Sequence, residues 1–111
     1  MRDVSRLRER FLRDDRARRL GNIASNLLRL SHWLPMDRDA AAVVGLLGET
    51  AAMIEWAGED ATEELVNIHQ ELCRWRRIWP VDAARGLLAF RARLMSERVL
   101  ALSGLTEMTP R

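Results

Sequence analysis

Residues 61–79 read Ala61-Thr62-Glu63-Glu64-Leu65-Val66-Asn67-Ile68-His69-Gln70-Glu71-Leu72-Cys73-Arg74-Trp75-Arg76-Arg77-Ile78-Trp79. Ala61, Leu65, Ile68, Leu72, Trp75 and Trp79 follow one another at alternating spacings of four and three, which lays their side chains along one face of an α-helix. Glu63, Glu64, Asn67, Gln70, Glu71 and Arg74 hold the opposite face. Upstream, Ala57-Gly58-Glu59-Asp60 breaks the chain, with Gly58 as a C′ residue. Asp60 is then the expected N-cap, and Glu63 stands three residues later as in a capping box.

Outward from this helix the same pattern recurs on both sides. Downstream, Ile78-Trp79-Pro80-Val81-Asp82 is a break with Asp82 as cap. Beyond it Leu88, Ala92, Met95, Val99 and Leu102 repeat the alternation, and Leu87 and Leu94 widen the stripe. Upstream, residues 40–57 are apolar nearly all round, so this helix is expected to be the most buried. Its row of small residues, Ala41, Gly45, Gly48 and Ala52, would let a neighbouring backbone approach closely. Before it, Ser31-His32-Trp33-Leu34-Pro35-Met36-Asp37 stops a helix at Pro35 and offers Asp37 or Asp39 as the next cap. Leu20, Ile23, Leu27, Leu30 and Leu34 form the seam of the first helix. Short breaks make consecutive helices antiparallel neighbours. The sequence therefore predicts an all-α chain, an up-down-up-down antiparallel four-helix bundle formed by one domain over residues 1–111.

The first helix is predicted to be longer than its partners. Residues 13–19 hold a single apolar residue, Ala17, yet Val4, Leu7 and Phe11 begin again at helical spacing. A bundle helix of roughly 17 residues spans only about 25 Å, so residues 1–15 are expected to overhang as an amphipathic arm.

Composition agrees with the helical reading. Of 111 residues, 48% are hydrophobic and 31% charged, Tyr is absent, and Gly and Pro together number nine. That is an ordinary globular balance, poor in material for sheets and turns. All 18 basic residues are Arg, spread through the chain as a GC-rich genome would place them. Net charge is only +2, but it is unevenly divided. Residues 1–36 carry nine Arg against four acids, residues 37–73 one Arg against nine acids, and residues 74–111 eight Arg against three acids. Basic outer segments can attract the acidic middle within one chain or between two.

One cysteine, Cys73, rules out an internal disulfide. The Arg-rich first residues do not resemble a secretory leader, and Glu49 and Glu55 interrupt the most apolar stretch, which reads as too short and too polar to span a bilayer comfortably. A cytoplasmic location with no membrane span is the expectation.

Candidate chemistry is sparse. His69 and Cys73, four apart, lie on one helical face, a spacing able to hold a metal, but two ligands are too few and His32 stands on another element. A comparison with histidine phosphotransfer domains rests on size alone, because Gln70-Glu71-Leu72-Cys73 supplies none of the residues that follow their histidine. Glu55, Glu59, Glu63 and Glu64 gather near one break, as acids do at a helix N-terminus. No Gly-rich phosphate loop, nucleophile–base pair or zinc pattern is present. The sequence points to a non-enzyme without cofactor or metal.

Two features read as interaction sites. One pole of the bundle gathers Trp33, Trp75 and Trp79 with Pro35 and Pro80, and His32, Arg74, Arg76 and Arg77 around them; Trp and Arg are enriched at binding hot spots. Equally, the tryptophans can plug the end of a narrow core. The second feature is the arm, whose Val4, Leu7, Phe11 and Leu12 form an apolar stripe suited to a groove or to a second copy. The expected function is that of a helical adaptor or regulatory protein, a homodimer acting through protein–protein contacts with an unidentified partner. A nucleic-acid-binding regulator using the Arg-rich first helix is the alternative, disfavoured by the interspersed acids. A metalloprotein or phosphotransfer protein centred on His69 is weaker still.

Overall fold

A computed structural model of the chain describes residues 4–36, 40–79 and 85–104. The expected caps Asp37, Asp39 and Asp82, Pro80 of the pole, residues 1–3 of the arm and the Glu59 side chain lie outside the described residues.

The described residues are all-helical, without strands. In chain order they form α1 (Val4–Arg13), α2 (Arg16–Trp33), α3 (Ala40–Ala57), a 3-10 turn (Gly58–Asp60), α4 (Glu63–Ile78) and α5 (Arg85–Ser103). The single long first helix expected from the sequence is two helices. Consecutive aspartates break it: Asp15 adopts an extended conformation and its carboxylate accepts from the Arg18 backbone N–H at 2.9 Å, capping α2. Asp14 Oδ2 accepts from Asn22 Nδ2 at 2.9 Å, which holds the corner from the other side. Residues 4–13 do not run on as an overhang. They lie across α3, with Phe11 only 2% exposed and tilted against Trp56 at 5.9 Å between ring centroids.

Gly58 does end α3 in a left-handed conformation, φ +53°. The N-cap of α4 is Thr62, whose hydroxyl accepts from the Leu65 N–H at 3.3 Å, and not Asp60. Asp60 sits in the 3-10 turn and turns its carboxylate to Arg19 at 3.2 Å and Arg16 at 3.9 Å.

Side-chain pairs fix the helix directions. Arg16 Nη1 donates to the Leu102 carbonyl and Ser96 Oγ to the Ala24 carbonyl, so α2 and α5 run antiparallel. Asn26 against Met53 and Arg19 against Asp60 set α3 and its turn antiparallel to α2. Arg98 on Glu64 and Arg91 on Glu71 do the same for α5 and α4. The close approach expected over the small-residue row of α3 is found instead between α2 and α5. There buried Ala24, Ala92 and Ser96 leave so little bulk that the Ser96 hydroxyl reaches the α2 backbone at 2.7 Å. The core is built on Leu20, Ile23, Leu27, Leu30 and Leu34 of the α2 seam, Leu47 of α3, Leu65 and Leu72 of α4, and Val99 of α5. Each side chain of this size contributes about 1.5–3 kcal/mol on burial.

As expected, α3 carries more buried residues than any other helix, yet one of its faces stays open. By length and composition it is also the one helix among the described residues apolar enough to cross a membrane, a test that the core helix of a helical protein passes equally.

Candidate interaction groove

The open face of α3 is the floor of a groove of about 680 Å³. Ala41, Gly45, Gly48 and Ala52 lie along the floor, Val4 and Leu7 of α1 form one wall with Trp56, Trp33 of α2 closes one end, and Arg29, Glu49 and Arg76 reach in with charge. Small residues make the floor because no helix covers them. A Cβ added at Gly45 would meet nothing within 4 Å, so this glycine is not needed for packing inside the chain. Gly48 differs: a Cβ there would stand 3.3 Å from the Arg76 Cζ. The guanidinium of Arg76, carried in from α4, thus lies close against the α3 backbone and would have to shift slightly to admit a Cβ at position 48.

Four of the eight residues singled out from sequence, Val4, Leu7, Trp33 and Arg76, meet in this groove. The arm and the pole, read as separate features, share it because α1 folds back. The other four lie elsewhere. Phe11 is spent on the core beside Trp56. Leu12 is exposed, its carbonyl accepting from Arg19 Nη2 at 3.0 Å. Arg74 stands at a shallow basic depression with His69, Cys73 and Arg77. Trp79 is buried, with the Arg85 guanidinium 5.0 Å from its ring centroid. Arg85 also donates to the Met36 carbonyl at 2.9 Å, so one side chain ties the start of α5 to the ends of α2 and α4. Trp75 and Trp79 therefore act as the plug of a core end. The indole N–H of Trp79 is buried without a hydrogen-bond partner among the described residues.

His69 has Glu55 Oε2 at 3.2 Å from Nε2, and Cys73 Sγ 3.9 Å from each ring nitrogen. Among the described residues no three His, Cys, Asp or Glu side chains converge as metal ligands would. The basic outer segments meet the acidic middle inside the chain, through Arg16 and Arg19 on Asp60, Arg91 on Glu71 and Arg98 on Glu64. Its bond to Glu64 raises the pKa of the exposed Arg98 above the usual guanidinium value. Arg16 and Arg19 belong to the stretch on which nucleic-acid binding would draw, and both are committed to Asp60.

Sequence reasoning missed a second apolar face. Leu87, Phe90 and Leu94 of α5 are 72%, 61% and 41% exposed. Leu87 and Leu94, assigned from sequence to the core stripe, point outward instead. The signal lay in α5 itself, where apolar residues occupy both sides of the helix; reading them as one wide stripe merged two faces. Comparison of the chain with protein-family models, curated proteins and solved structures finds no match.

Proposed function

We propose that this chain is a non-catalytic helical adaptor or regulatory protein, a cytoplasmic homodimer that acts through protein–protein contacts. In this reading α2–α5 are an up-down-up-down four-helix bundle and α1 is a flap laid over α3. The groove on α3 carries the proposal. Its floor of small residues leaves room for a helix to come close, its walls are apolar, and Arg29 and Arg76 outnumber Glu49 at its edge. Such a groove suits an amphipathic helix of a partner protein, docked by its apolar face with acidic residues toward the two arginines. The antiparallel side-chain pairs support the bundle arrangement.

Gly45→Trp tests the proposal, because a Cβ at this position meets nothing within 4 Å and the ring it carries would occupy the groove. Proteins cross-linked to the wild-type chain in cells are expected to be lost from Gly45→Trp while circular dichroism stays unchanged. An identical set of cross-linked proteins on both chains would refute the groove as the contact site.

A further inference from the structure

We infer that the partner helix bound in the groove carries most of its acidic residues on the flank facing α4, and that this flank reaches past Arg76 to Arg74 and Arg77; the assignment rests on the groove as proposed above. The groove and the basic depression on α4 share Val44 and Arg76, so the two are continuous across the α4 edge of the groove. The rest of the depression is His69, Gln70, Cys73, Arg74 and Arg77, and no carboxylate lines it.

Charge selects what lies over the depression. Arg74, Arg76 and Arg77 are exposed and make no hydrogen bond or ion pair with the described residues. The acids of the neighbouring helices are already engaged, Glu55 with His69, Glu71 with Arg91 and Glu64 with Arg98. The C-terminal end of α4 accommodates the three cations through its helix dipole but gives them no counter-charge. On the opposite, α2 side of the groove, Arg29 is accompanied by Glu49, so that edge is mixed in sign. A helix with its apolar stripe on the α3 floor therefore meets three arginines on one flank and both signs of charge on the other. Arg74 and Arg77 stand about 4.5 Å apart along α4 at 1.5 Å per residue, which matches two acids one turn apart on a helix lying alongside. A nucleic-acid backbone would suit the arginines but would leave the apolar floor beside them without a partner.

The probe is a displayed library of helical peptides with a fixed apolar stripe and both flanks randomised, selected on the full-length wild-type chain. Selected peptides are expected to carry Asp or Glu one turn apart on one flank, and to slow the alkylation of Cys73, the chain's single thiol, which lines the depression. For such a peptide Arg74→Gln/Arg77→Gln should raise the dissociation constant about tenfold and flatten its salt dependence, whereas Arg13→Gln/Arg18→Gln, which removes the same charge elsewhere, should change it less than about twofold. All four arginines are exposed, so helicity should be kept in both variants. Peptides that lack an acidic flank, or that bind both double variants equally, and are still lost from Gly45→Trp would overturn the acidic flank and leave the groove standing. Peptides that bind Gly45→Trp as they bind the wild type, or a selection that yields none, would overturn both. Protection of Cys73 by duplex DNA and by no selected peptide would give the arginines to a nucleic acid instead.

Discussion

Gly45 shows at the scale of one residue what separates folding from use. In a helix interior glycine costs about 1 kcal/mol against alanine, and here nothing within 4 Å of an added Cβ explains its presence by packing. Gly45→Ala is therefore expected to stabilise the chain by about 1 kcal/mol in denaturant unfolding. Gly48→Ala should gain less, because the Arg76 guanidinium must move to admit the methyl group. A loss of stability in Gly45→Ala would mean that some packing contact of the chain, and not an open groove, requires the glycine. The sequence made the row Ala41, Gly45, Gly48 and Ala52 legible as a place of close approach, but not what approaches. That depends on how far apart the tertiary fold sets its helices.

Among the elements, α1 is the least secure and the most consequential. Ten residues are too few for a stable helix in water, so its docking depends on Phe11 against Trp56. Phe11→Ala should release it. The amides of residues 4–13 would then exchange at nearly unprotected rates while those of α2–α5 keep their protection, because the loss is local. Uniform weakening across all helices would show instead that α1 is integral to the core. The break that makes α1 a separate element was present in the sequence as Asp14-Asp15, two residues that favour caps over helix interiors. Periodicity resumed across them and concealed the corner. Thr62 prevailed over Asp60 as cap of α4 for a related reason: Asp60 has a stronger use in the ion pair with Arg19, an interaction 41 residues away in sequence that no local pattern reveals.

At the scale of the molecule, the uneven charge of the sequence is met in part within the chain, where Asp60, Glu64 and Glu71 of the acidic middle pair with Arg16, Arg19, Arg91 and Arg98 of the basic flanks. Among the described residues, two apolar faces stay uncovered: the groove on α3 and the outer face of α5. The all-helical class, the breaks at Pro35 and Gly58 and the place of Trp75 and Trp79 on a buried seam were readable in the sequence, whereas the corner at Asp14-Asp15 was not. The groove was not, because it exists only where α1 crosses α3, and two apolar faces on α5 look like one broad stripe until the core has filled one of them. The account rests on the groove as the place where another protein binds. The most direct measurement is in-cell photo-cross-linking from a photoreactive residue at Gly45, with the same residue at exposed Arg18 as reference. Discrete adducts from position 45 that position 18 does not give are the predicted result. Adduct patterns that cannot be told apart between the two positions would contradict it.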